Sequence, residues 1–120
     1  MLRTLFVFIF LAFTTFARAD VLTLHKTYNA AGTNPDGSTY SGTVTIKVIS
    51  DKTFTIHWKI DDETYDGFGM RNDDALAATY TLDGEPGLVI YKVGAGGVLN
   101  GFWVVRGKNK GGTERLTPGD

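Results

Sequence analysis

Apolar residues recur at every second position along most of this chain, and turn-forming residues interrupt them at regular intervals. Tyr40, Gly42, Val44, Ile46 and Val48 alternate with Ser41, Thr43, Thr45 and Lys47. After Ser50-Asp51-Lys52 the rhythm resumes, with Phe54, Ile56, Trp58 and Ile60 set against Thr55, His57 and Lys59. A period of two marks a strand with one buried face, because successive side chains of extended backbone point to opposite sides. The same reading predicts strands over 63–70, 75–81, 87–93, 98–106 and 112–117, with an opening strand within 22–31. Asn34-Pro35-Asp36-Gly37, Asp61-Asp62, Arg71-Asn72-Asp73, Asp83-Gly84-Glu85-Pro86, Gly94-Ala95-Gly96-Gly97 and a basic, glycine-rich stretch at 107–111 separate them. No stretch supplies three turns of amphipathic helix. The expected fold is all-β: an eight-stranded antiparallel up-and-down meander closing into a small barrel, with a two-sheet sandwich as the alternative. Closure is favoured because it removes both exposed sheet edges.

Glycines inside the strands point the same way. Gly42, Gly67, Gly69 and Gly101 share the phase of Tyr40, Tyr65 and Trp103. Glycine weakens a flat strand, but it permits sharp bending and lets a ring lie over bare backbone. Bulges are the other explanation.

The N-terminus has a different character. Arg3 precedes an unbroken apolar run from Leu5 to Phe13, and Ala17-Arg18-Ala19 follows. The run is too short for an ordinary spanning helix of ~20 residues. A positive start, a short apolar run and a small-x-small site make a secretory signal peptide over Met1–Ala19, cut between Ala19 and Asp20, with a single domain over 20–120. Cleavage there removes Arg3 and Arg18 from the 12 basic residues and leaves all 13 acidic ones. The domain is then mildly acidic, which gives no electrostatic case for nucleic-acid binding. No later run is long enough to span a membrane as a helix. The expected destination is the bacterial periplasm or the exterior.

At 120 residues, with 42% hydrophobic and 21% charged residues and no cysteine, the composition fits one globular domain. It excludes disulfide stapling and cysteine-ligated metal.

The stretch Gly32-Thr33-Asn34-Pro35-Asp36-Gly37-Ser38-Thr39-Tyr40-Ser41-Gly42-Thr43-Val44 resembles a family of small exported bacterial proteins of unknown function, some labelled fibronectin-binding protein. The resemblance continues through Thr55–Ile60, Tyr65–Gly69, Leu76–Tyr80, Gly87–Tyr91 and Leu99–Trp103, and ends at Gly112-Thr113-Glu114. It implies export and no catalytic residue. More loosely, the layout is similar to avidin-like and lipocalin-like barrels, with Gly101-x-Trp103 similar to the lipocalin Gly-x-Trp.

Catalytic chemistry has little to work with. His25 and His57 have no metal-ligand spacing, and Ser38, Ser41 and Ser50 lie in no nucleophile elbow. Carboxylates crowd the turns: Asp36, Asp61, Asp62, Glu63, Asp83 and Glu85 at one rim with Lys108 and Lys110, and Asp51, Asp73 and Asp74 at the other with Arg71. Turn chemistry accounts for them, although weak calcium binding or acid–base work at a rim is an alternative. No cofactor or metal site is expected. Glu114 stands apart because it lies inside the last strand. Facing inward it needs a partner, and Tyr40 or Tyr65 can offer a hydroxyl. Its simplest role is a latch closing the barrel.

Two candidate surfaces emerge. The inward aromatics suggest a ligand pocket in the barrel mouth, formed by Tyr40, Trp58, Tyr65, Tyr80, Trp103 and Glu114. The strands over 63–70, 87–93 and 98–106 are apolar in both phases, which suggests a covered outer sector of Phe68, Met70, Val89, Tyr91, Phe102 and Val104. The favoured reading is a non-enzymatic exported module that engages a protein partner, or a second copy, through this sector. The alternative is a lipocalin-like or avidin-like carrier of a small apolar ligand. A hydrolase using rim carboxylates ranks third.

Overall fold

The computed structural model describes residues 24–119, so the export leader and cleavage site expected over residues 1–20 lie outside the described residues. Eight strands follow in order: β1 (Thr27–Thr33), β2 (Thr39–Val48), β3 (Thr53–Ile60), β4 (Glu63–Asn72), β5 (Ala75–Leu82), β6 (Glu85–Val93), β7 (Leu99–Val105) and β8 (Gly112–Pro118). A single 3-10 turn at Ala95–Gly97 joins β6 to β7. Each strand pairs antiparallel with the next, and β1 returns to pair with β8, so the sheet closes as a barrel. The sandwich alternative is thereby excluded. The closing seam runs from Tyr28↔Pro118 to Thr33↔Thr113, and the hydroxyls of Thr33 and Thr113 meet at 2.8 Å across it.

Tight hairpins drive this topology. Asp61, Asp73 and Asp83 all adopt left-handed φ, a conformation that Asp tolerates better than most residues, and Gly84 follows at φ +83°. These two-residue turns leave β4, β5 and β6 no choice but to pair each with its predecessor, and the other connections are only four to six residues long. Alternate turns then share an end of the barrel.

That geometry divides the interior into two halves. At the end bearing the β2–β3, β4–β5 and β6–β7 turns, Tyr28, Phe54, Ile56, Leu76, Leu99 and Leu116 are almost wholly buried and fill the space between strands. Each such side chain contributes about 1.5–3 kcal/mol by leaving water. The backbone N–H of His25 donates to the Tyr28 hydroxyl at 2.8 Å, tying the entering chain across this end. The opposite end carries the aromatics and is not filled.

The intrastrand glycines meet their aromatics across strands rather than along them. Gly32 lies opposite Tyr40, Gly69 opposite Phe54, Gly87 opposite Tyr80, Gly101 opposite Tyr91 and Gly112 opposite Trp103. In each pair the ring covers the space a Cβ would take, at 2.3–2.6 Å from its ideal position. Bare backbone on one strand thus fixes the orientation of a ring on the next.

The outer surface corrects one sequence expectation. Phe68, Met70, Phe102 and Val104 face outward and are exposed, but Val89 and Tyr91 are buried inside the barrel. The exposed large apolar residues of β6 are Leu88 and Ile90. Both phases of this strand are apolar, so alternation alone cannot orient it. Pairing does so, because Tyr91 sits opposite inward Gly101 and Ile90 opposite outward Phe102. The corrected sector is continuous: Met70 pairs with Ala77, Ala77 with Ile90 and Ile90 with Phe102, while Leu88 pairs with Val104.

Gly67 and Gly84 test the two reasons for glycine in this fold. A Cβ at Gly67 would lie 1.7 Å from the Thr79 carbonyl oxygen, a backbone atom that cannot step aside, whereas Gly84 has open space and only its positive φ. Gly67→Ala is expected to cost more than about 3 kcal/mol, and Gly84→Ala about 1 kcal/mol. Urea unfolding followed by far-UV circular dichroism measures both; equal losses would remove the close-approach argument.

Candidate functional site

The unfilled end holds a cavity of about 210 Å3 that opens to solvent between the β3–β4 and β5–β6 turns. All six residues of the sequence-derived pocket, Tyr40, Trp58, Tyr65, Tyr80, Trp103 and Glu114, line it. They come from β2, β3, β4, β5, β7 and β8, so only a closed barrel brings them together. Ile60, Leu82, Val89 and Tyr91 complete the wall, with Asn34 and Asp61 at the rim.

The rings form a cage. Trp58 and Tyr80 meet edge to face, with centroids 5.6 Å apart and planes at 66°. Tyr40 and Trp103 are arranged in the same way at 6.4 Å and 64°. Edge-to-face pairs are the favoured contact of quadrupolar rings and hold each other in place. Hydrogen bonds to neighbouring backbone add to this: Tyr80 donates its hydroxyl to the Val104 carbonyl at 3.2 Å, and Trp103 donates its indole N–H to the Thr113 carbonyl at 3.3 Å.

Glu114 forms the floor and is 4% exposed. Oε1 accepts the Tyr40 hydroxyl at 2.7 Å, and Oε2 accepts the Trp58 indole N–H at 2.8 Å together with the Tyr91 hydroxyl. Three donors and no acceptor converge on it, the surroundings that suit an ionised carboxylate. Of the two partners expected from sequence, Tyr40 fills its role and Tyr65 does not. Tyr65 donates instead to Glu63 of its own strand at 2.7 Å. The sequence reading missed Tyr91 as a partner because it placed that residue outside. One signal could have corrected the phase: inward Tyr80 needs a glycine opposite, and Gly87 puts Val89 and Tyr91 on the inner face with it.

Burial leaves its mark on every tyrosine. The phenols of Tyr40, Tyr80 and Tyr91 are pushed well above their ordinary value, first by desolvation and then by the negative charge of Glu114. Tyr65 is pushed up to about 12 by burial and by its bond to Glu63, and burial also raises Tyr28. The cage hydroxyls therefore remain donors throughout the physiological range.

The histidines stay apart from the cavity. His57 faces outward and meets Asp66 at 2.6 Å on the surface, and His25 lies at the filled end. Among the described residues no cluster of three or more His, Asp or Glu side chains is placed to hold a metal. No helix among them is long and apolar enough to cross a membrane.

No family model and no curated protein matches the chain. Several solved structures share its fold. A redesigned β-barrel superposes with a TM-score of 0.71 at 18% identity, covering 86% of this chain and 96% of its own. The redesigned β-barrel mFAP1, bound to DFHBI, gives 0.68 at 25% identity, covering 83% and 98%. A de novo fluorescence-activating β-barrel gives 0.63 at 15% identity, covering 82% and 96%. The chain is similar to these in fold.

Two outcomes follow from the floor of the cavity. Glu114→Ala leaves the Trp58 and Tyr91 donors buried without an acceptor and is expected to cost about 3–5 kcal/mol, against about 1.5–3 kcal/mol for Tyr91→Phe. Chemical denaturation of both variants checks the order. Alkali is the second probe. Unfolded tyrosine loses its proton near pH 10, while the folded phenols hold theirs. Stability is therefore complete below about pH 10 and falls as pH rises beyond it, since only the unfolded chain releases protons. Phenolate absorbance near 295 nm should appear together with loss of the β-sheet signal rather than before it.

Proposed function

We propose that this chain is a non-enzymatic binding protein that holds a small, largely apolar ligand in the open end of the barrel. One observation carries the reading: six aromatic side chains line an open cavity, and the other end of the barrel is packed solid. A cavity of ~150 Å3 with apolar walls can hold benzene, and this one is larger. Convergence of a few polar groups on apolar walls is the usual make-up of a ligand pocket. The likeness to mFAP1, which binds DFHBI in a barrel of the same fold, supports a small-molecule role. The carrier thus takes precedence over the partner-binding module that the strand pattern favours. Asp61 and Glu114 both line the cavity, the carboxylate pair that a hydrolase needs, but Glu114 is engaged by three donors and serves as a fixed acceptor. Export to the periplasm or exterior, and kinship with the small exported bacterial family, belong to the same proposal and rest on the sequence.

A second reading has its own observation. Phe68, Met70, Leu88, Ile90, Phe102 and Val104 form a contiguous exposed apolar sector on β4, β6 and β7. Such a sector suits a protein partner or a second copy.

Titration with 2-naphthol and DFHBI tests the first reading. The indole N–H resonances of Trp58 and Trp103 are expected to shift in a saturable manner. Val89→Phe, which fills the wall, should weaken binding about tenfold or more while leaving the barrel folded. Unmoved indole signals with both probes would refute the pocket. For the outer sector, sedimentation over a range of concentrations is the check. A monomer that Phe102→Asp leaves unchanged removes the self-association form of that reading.

A further inference from the structure

Resting on the ligand-pocket reading, we propose that the preferred ligands carry a cationic nitrogen: a compact aromatic or aliphatic amine whose ammonium group reaches Glu114 while its body lies in the ring cage.

The acceptor capacity of Glu114 points there. A carboxylate offers about four acceptor sites. Trp58 and Tyr91 fill the two on Oε2, and Tyr40 takes one on Oε1, so one site on Oε1 remains. Glu114 itself lines the cavity, and a donor entering from the mouth can complete the set. None of the three resident donors carries a charge. Among the described residues lining the cavity there is no Lys, Arg or His, and the second ionisable carboxyl group there, that of Asp61, is also acidic. A buried negative charge is costly without an opposite one, and the barrel supplies hydrogen bonds to this charge without neutralising it.

The walls favour the same chemistry. Tyr40, Trp58, Tyr80 and Trp103 surround the approach to Glu114, and aromatic faces attract cations through their quadrupoles, most strongly where water is excluded. Aromatic cages that recognise ammonium groups work in this way. Asp61 at the rim adds a second negative group along the entry route. An anionic ligand would meet both carboxylates with no compensating charge, and a neutral one would leave the buried charge as it was.

Three probes of nearly one shape separate the possibilities on the full chain: 2-phenylethylamine, 2-phenylethanol and ethylbenzene, each followed by calorimetry and by the indole N–H resonances. The amine is expected to bind about tenfold or more tightly than the alcohol, with ethylbenzene no tighter than the alcohol. In Glu114→Gln the preference for the amine should vanish. The three-probe comparison on the unaltered protein decides the matter even if that variant does not fold. Binding of all three with equal affinity, or tightest binding of the alcohol or ethylbenzene, overturns the cation preference and leaves the pocket standing. If none of the three binds and 2-naphthol and DFHBI also fail, the pocket reading itself falls.

Discussion

One carboxylate organises the open half of this barrel. Glu114 of β8 accepts from Tyr40 of β2, Trp58 of β3 and Tyr91 of β6, and so reaches across the interior to three other strands. Backbone ladders join each strand only to its neighbours. The carboxylate adds cross-braces that no ladder can supply, in a low-dielectric setting where charge-assisted hydrogen bonds are strong and directional. It also imposes a constraint. Three bulky side chains must point at one spot, which prevents them from collapsing to fill the barrel.

That constraint explains why the two ends differ. An eight-stranded barrel is just wide enough for its own side chains to fill. At the far end aliphatic residues, Phe54 and Tyr28 do so, and the one polar group among them, the Tyr28 hydroxyl, is met by the His25 N–H. At the open end the rings are held upright twice over: by glycines opposite Tyr40, Tyr80, Tyr91 and Trp103, and by hydrogen bonds at Tyr40, Trp58, Tyr80, Tyr91 and Trp103. Rings fixed in this way leave a cavity rather than a core. Stability comes from the filled half and the closed ladder, and the open half is free to carry a function.

Much of this was legible along the chain because its physical cause is local. Alternation at Val44–Ile46 and Phe54–Trp58 follows from strand geometry, and aspartates and glycines at the turns follow from backbone dihedrals, so strand number and order could be read directly. The inward aromatics followed from the same phase. On β6 alternation is silent. Leu88, Val89, Ile90 and Tyr91 are all apolar, and a strand apolar in both phases carries no signal for its facing. The outer sector was therefore one residue out of phase on that strand, and the contribution of Tyr91 to Glu114 was hidden.

The amino-acid sequence by itself determined that the chain forms eight short antiparallel strands and that a glutamate on the last of them needs an inward partner, because periodicity, turn chemistry and the cost of a buried charge act over a few residues. Tertiary structure alone decided which donors satisfy that glutamate, which face of β6 looks outward, and that one end of the barrel stays hollow. Those outcomes depend on cross-strand register and on the curvature of a closed sheet, which bring together side chains as distant along the chain as Tyr40 and Glu114.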